Sequence, residues 1–390
     1  MLMTPGLAFF YGGLVGRKNT ITIMMQSFVS LGWTAVLWVL FGFSLSFSHG
    51  TGFFAGIFGG SQYLFLNNIS PSMLFPGNDQ IPMLLFVVYQ MMFAVITPAL
   101  ITGAFADRVR FPAYMIFLTG WLLLVYFPFA HMIWGGGILE KWGVLDFAGG
   151  IVVHASAGFA ALAAVFYIGS RKTIHKGPHN IPLMALGTAL LWFGWYGFNG
   201  GSALRIDDIT VMAFINTQVA AAFASVTWIF LEAMFRKKPS IVGFMTGAVA
   251  GLATITPASG FVSVQAAMII GIVSALVTYA AVLFKNRRNW DDALDVWGIH
   301  GVGGFVGILL LGVFASTAIN PQGANGLLHG DPMFFVKELV AVSILSVYAF
   351  LVTYGLLWVI DRVISVRVSP EEEEQGLDEV EHGEGAYRDH

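Results

Sequence analysis

Asp146-Phe147-Ala148-Gly149-Gly150-Ile151-Val152-Val153-His154 and Asp295-Val296-Trp297-Gly298-Ile299-His300-Gly301 each carry a histidine deep into an apolar run, where an ionisable group is costly and usually functional. His154 follows Asp146 by eight residues and His300 follows Asp291 by nine. At 1.5 Å rise per residue each histidine lies about 12–14 Å along its helix, near the middle of a hydrocarbon core about 30 Å thick. The rest of the chain has the same character. Of its 390 residues 57% are hydrophobic and only 11% charged, against about 25% charged in a soluble domain. So few charges cannot give several separate cores a polar surface, and the chain reads as a polytopic membrane protein.

Ten apolar runs near helix-spanning length follow from this: roughly 20-47, 81-105, 113-131, 146-168, 181-199, 209-234, 241-256, 262-284, 296-318 and 333-360, with a short one at 1-15. The predicted fold is all-α with eleven transmembrane helices. Assigning the loops to alternate sides puts sixteen of the nineteen Lys and Arg on one side, Lys176, Lys237 and Arg388 among them; only Lys141, Arg205 and Lys337 fall on the other. The positive-inside rule then predicts an N-terminus outside, a C-terminus in the cytoplasm and a multi-pass protein of the cytoplasmic membrane. The fifteen residues of this first segment span only about 22 Å as a helix, so it is expected to be the inner part of a longer, truncated helix rather than a short helix around which the bilayer thins.

Segments 1–5 and 6–10 divide into two five-helix halves. Five being odd, the second half enters the membrane inverted, and the histidines then occupy the fifth helix of each half, facing the repeat interface where transport sites form. Two neutral imidazoles can hydrogen-bond each other and relay a proton; a metal would need further ligands that the sequence does not supply nearby. Asp146 stands where a carboxylate caps free N–H groups at a helix start and favours a neighbouring cation. Asp291, Asp292 and Asp295 read as caps paired with Arg287 or Arg288. Trp134, in the Gly-rich turn Trp134-Gly135-Gly136-Gly137, offers an indole face to a cation. Trp195, Phe198 and Ser202, at i, i+3 and i+7, share one helical face. Spaced glycines such as Gly243, Gly247 and Gly251 suit close helix packing.

The remaining composition mostly excludes. Without cysteine there are no disulfides, thiolate metal sites or cysteine nucleophiles. A formal charge of -3 gives no footprint for nucleic acid. No serine, carboxylate or metal set at hydrolase spacing accompanies His154, so an enzyme is not expected, and no cofactor is implied. Residues 1-365 form the predicted membrane domain and 366-390 an acidic cytoplasmic tail; residues 370-390 hold nine acidic side chains against one Arg and read as a solvated segment, with a regulatory docking tail as the alternative.

Over nearly its full length the chain resembles the ammonium transporter family (Amt/Mep/Rh), bacterial and archaeal Amt proteins most. The resemblance rests on the two histidine motifs, on Trp192-Phe193-Gly194-Trp195-Tyr196-Gly197-Phe198-Asn199-Gly200-Gly201-Ser202, and on Gly376-Leu377-Asp378 with Glu381-His382-Gly383-Glu384-Gly385-Ala386-Tyr387. It implies a homotrimer with one pore per protomer. It also implies an outer ammonium site at Trp134, Phe93 and Ser202, with Asp146 as the essential acid nearby and Tyr89 one turn before Phe93 where relatives often carry an aromatic. Phe93 and Phe198 would be a stacked phenyl gate, His154 and His300 the twin histidines of a hydrophobic pore, and a PII-family signal protein a partner at the cytoplasmic face.

Ammonium and potassium share charge and size, so selectivity has to use what ammonium alone does: donate four hydrogen bonds and lose a proton. The expected sequence is recruitment, deprotonation near the phenyl gate and passage of ammonia past the histidines, with the proton travelling separately. The alternatives are an ammonium sensor and an electroneutral ammonia or gas channel.

Overall fold

Apolar runs in a bilayer have to satisfy every backbone N–H and C=O within themselves, which leaves the helix as the local solution. The computed structural model describes residues 1–76, 78, 80–173, 177–236 and 238–387. Lys176, Lys237 and Arg388, counted above with the basic side, lie outside the described residues. Among the described residues the chain is helical, with only the isolated bridges Leu74–Pro82 and Val109–Arg367.

Eleven apolar helical segments run in order: α1 Met3–Leu14, α2 Arg17–Phe47, α3 Met83–Ala104, α4 Phe111–Trp142, α5 Gly150–Ile168, α6 Ile181–Ala203, α7 Asp208–Arg236, α8 Ile241–Ile255, α9 Val264–Arg287, α10 Trp297–Phe314 and α11 Pro332–Asp361. Among the described residues nine are long and apolar enough to cross a membrane; α1 and α8 are shorter. The two halves are marked by the same device. α5 and α10 each open with π-helical turns, Gly150–Ala155 and Trp297–Gly301, that hold His154 and His300. Eight residues ahead of each histidine an aspartate takes the free N–H groups: Asp146 those of Gly149 to Val152, Asp292 those of Val296 and Trp297.

The halves meet where α1 lies along α6 and where α5 crosses α10. At that second crossing a Cβ on Gly158 would stand 2.0 Å from the Gly301 nitrogen, so the two backbones touch. Gly243, Gly247 and Gly251 likewise seat α8 against Glu232, Trp228 and Ala220 of α7. α11 lies outside both halves against α5, and its fully buried Glu338 accepts a 2.7 Å bond from the Leu145 N–H just ahead of Asp146.

The loops on the side rich in Lys and Arg depart from expectation. Asp291 bonds Arg108 and Arg171, not Arg287 or Arg288, because the loops after α3 and α5 bring those guanidiniums under α10. Asp295 takes Lys285 at 2.7 Å. The acidic tail is docked rather than solvated. Two short helices, α12 Pro370–Gln375 and α13 Leu377–His382, lie on the protein, with Glu373 2% and Asp378 3% exposed. Its acids find donors already waiting: Asp378 caps α2 through Ile21 and Thr22, Glu373 takes the Lys172 and Thr173 N–H groups with Arg367, and Glu372 pairs with Arg110.

Burial opposes the charge on Asp291, yet the Arg171 bonds and the Arg108 guanidinium outweigh it and hold the carboxyl at about 2. A carboxylate held below its unfolded value of about 4 adds stability that is complete above that value and drains as pH falls toward 2. Asp291→Ala strands the buried Arg108 and should cost about 3–5 kcal/mol at neutral pH, read as a lower thermal unfolding midpoint. The deficit against the unsubstituted protein should shrink as both are acidified toward pH 2; a deficit independent of pH would contradict the ion pair.

Candidate functional site

The middle of α3 supplies Phe93, the last third of α4, just before its Gly135–Gly137 turn, supplies Trp134, and the turn closing α6 supplies Ser202. The three line one vestibule of about 310 Å³ together with Asp146. Phe93 packs edge-on to Trp134, centroids 5.9 Å apart, and stacks on Phe198 at 4.2 Å. That stacked pair closes the vestibule floor, with Phe93 facing the vestibule and Phe198 facing the next cavity.

Asp146 is 5% exposed and uses both oxygens on the backbone: Oδ1 accepts from Gly149 and Gly150 at 2.8 and 2.6 Å, Oδ2 from Ile151 and Val152 at 2.8 and 3.2 Å. Its own carbonyl accepts the Trp134 indole N–H at 2.7 Å. Asp146 thus holds two things in place at once, the start of the histidine helix and the indole of the vestibule, and its charge stands at the vestibule wall.

Beyond the phenyl pair lies a cavity of about 10 Å³, walled by Leu7, Ile96, Leu100, Val153, Trp195 and Val249 and reached by both histidines. That is room for about one water-sized molecule. The imidazoles of His154 and His300 face each other, Nδ1 to Nδ1 at 3.2 Å with rings 5.2 Å apart and 18° from parallel. One of those nitrogens donates and the other accepts. Trp195 stacks on the far side of His154 at 5.4 Å, and the His154 Nε2 has no hydrogen-bond partner among the described residues. His300 also borders a second vestibule of about 190 Å³, where Tyr11, Arg171 and Asp295 stand. An aromatic cup, a stacked phenyl pair, a small chamber faced by two imidazoles and a second vestibule therefore follow one another inside a single chain.

Against this geometry stand the comparisons with known proteins. Residues 1–387 match the Ammonium Transporter Family. The chain belongs to the ammonium transporter family. The "Ammonium transporter" of Bacillus subtilis is 45% identical to it over 392 residues, covering 100% of this chain and 95% of that protein. "Ammonium transporter Amt1" of Archaeoglobus fulgidus is 45% identical over 390 residues, covering 99% and 96%. Among solved structures, Candida albicans Mep2 superposes with a TM-score of 0.87 at 35% identity, covering 95% of this chain and 84% of that one. A structure titled "Sensor Amt Protein" reaches 0.88 at 29% identity, covering 98% and 95%. As a member of this family the chain is a multi-pass membrane transporter and not an enzyme.

The structure brings Trp134, Phe93, Ser202 and Asp146 together, and Phe93 with Phe198, and His154 with His300. Two participants were missed, and a third was read only as a cap. Asp292 does cap α10, and its match to Asp146 was legible, since it precedes His300 by the same eight residues that separate Asp146 from His154. Glu338 had only its acid in an apolar run as a signal. Trp195 as the partner of His154 had none, because stacking between α6 and α5 is a tertiary fact.

Asp146→Asn offers one acceptor oxygen to four N–H groups. About 1–3 kcal/mol of stability should go with the stranded donors, seen in thermal unfolding, and ammonium transport should fall with it as α5 and Trp134 lose their anchor. Native stability and transport in that variant would contradict the role drawn here.

Proposed function

We propose that the protein carries ammonium selectively across the cytoplasmic membrane, dividing it into ammonia and a proton that cross separately. Trp134 and Phe93 present aromatic faces to the cation and Ser202 an oxygen to one N–H, in competition with water. The stacked Phe93 and Phe198 admit no hydrated ion. Ammonium gives up its proton there, and neutral ammonia enters a chamber faced by the two imidazoles. The observation that carries the reading is the phenyl stack at 4.2 Å separating an aromatic vestibule from a chamber with room for one small molecule.

The proton passes along His154 and His300, whose facing Nδ1 atoms already share a hydrogen bond; Asp146 attracts the cation and fixes the first of the two helices. Transport is then electrogenic, and the membrane potential contributes about 2.3 kcal/mol per charge per 100 mV. The protein assembles as a homotrimer with a pore in each protomer. Its N-terminus faces out and its C-terminus the cytoplasm, where residues 366–390 form a tail on the membrane domain 1–365 and a PII-family signal protein docks.

Charge movement on a solid-supported membrane after an ammonium jump, with a potassium jump as control, tests this. A transient with ammonium alone is expected, and replacing both histidines, His154→Leu with His300→Leu, should abolish it. An unchanged current in that double variant would overturn the relay. No charge alongside intact ammonia flux would make the protein an electroneutral channel, and no transport at all would favour the sensor role that the likeness to the sensor protein suggests.

A further inference from the structure

Tyr89 has so far counted only as a ring beside Phe93, 5.1 Å away. Its hydroxyl is the better-connected part. Tyr89 Oη lies 2.8 Å from the Phe198 carbonyl, 3.1 Å from the Gly197 carbonyl and 3.1 Å from Ser202 Oγ; Ser202 Oγ is itself 2.8 Å from the Phe198 carbonyl. Ser202 lines the outer vestibule, but Tyr89 borders a different cavity, of about 370 Å³, bounded by Ile81, Leu85, Gly200 and Ile206. The phenol therefore reaches Ser202 from behind. Gly201 makes room for it, since a Cβ there would stand 2.8 Å from the phenol oxygen and ring edge.

We propose that Tyr89 is a positioning residue that turns Ser202 into a fixed hydrogen-bond acceptor for the arriving ammonium ion. This rests on the recruitment role given to Ser202 above. The accounting of protons carries it. Two hydroxyls hold two protons, and the acceptors around them are the Phe198 and Gly197 carbonyls and each other's lone pairs. The phenol, the more acidic donor, points at the α6 carbonyls. Its oxygen then faces Ser202 with lone pairs. The serine proton goes to that oxygen or to the Phe198 carbonyl, neither of which lines the vestibule.

What remains toward the vestibule is the serine's own lone pairs. A serine hydroxyl that rotated freely would turn its proton outward part of the time and repel a cation. The relay from Ser202 through Tyr89 to the Phe198 carbonyl also polarises the serine oxygen, making it a stronger acceptor. Ammonium, which donates N–H bonds in every direction, gains directly from an acceptor held in place. Potassium, with no proton to give, gains only its charge interaction.

The test is uptake of isotope-labelled ammonium into proteoliposomes, a readout independent of charge. It uses the full chain, Tyr89→Phe, Ser202→Ala and the two combined. Tyr89→Phe keeps the ring and removes one oxygen. It should raise the half-saturation concentration by about three- to tenfold, the range one hydrogen bond commands, at unchanged maximal rate. Ser202→Ala should raise it at least as far, and the double variant should match Ser202→Ala alone.

Tyr89→Phe within twofold of the unsubstituted protein, beside an effect of Ser202→Ala, would overturn the role of Tyr89 only. So would a lower maximal rate at unchanged half-saturation, which would place the effect at the Phe93 ring, and so would single effects that multiply in the double variant. An unaltered half-saturation in Ser202→Ala would overturn the recruitment reading and this inference together.

Discussion

Two imidazoles hydrogen-bonded to each other in a chamber that holds about one small molecule are the arrangement on which the rest of the structure depends. Burying them costs free energy unless each nitrogen facing the other finds its partner, and partnership at 3.2 Å requires two helices from opposite halves to be placed together closely. Glycine at both sides of the α5–α10 crossing allows the approach. The π-helical turns widen each helix where its histidine leaves it, and Asp146 and Asp292 secure the helix starts that would otherwise expose donors. Both carboxylates serve as buried acceptors for backbone N–H groups, so the polar load at each repeat closes locally without borrowing from the pore.

That inner arrangement explains the placement of the outer parts. Asp146 holds the Trp134 indole through its own carbonyl, so the vestibule wall and the histidine helix share one anchor. Glu338 reaches in from α11, the helix that belongs to neither half, and fixes Leu145 beside that anchor. On the side rich in Lys and Arg, Asp291 gathers Arg108 and Arg171, and Arg171 borders the second vestibule. The tail locks the neighbouring loop segment through Glu373.

Much of this was legible in the sequence. The helix count and most segment boundaries followed from apolar length, although the fourth helix runs on to Trp142 where the apolar run was ended at 131, and alternation of basic loops kept the count consistent with one orientation. The histidine pair followed from the rarity of ionisable groups in such runs. The acidic tail misled, because nine acids on one short segment look solvated until the helix N-termini and arginines they meet are placed, and those meetings span several hundred residues. The partners of Asp291 were hidden for the same reason: Arg287 and Arg288 are near in sequence, Arg108 and Arg171 near in space. The second hydroxyl behind Ser202 was written as Tyr89, but only the geometry gives its oxygen a role different from its ring.

The central claim is that ammonia and its proton cross separately through one histidine-lined chamber. Its most direct measure is the number of charges moved per ammonia delivered, from current and labelled-ammonium uptake recorded on the same proteoliposomes. The account predicts one charge per ammonia at every membrane potential tested. A ratio of zero would contradict it.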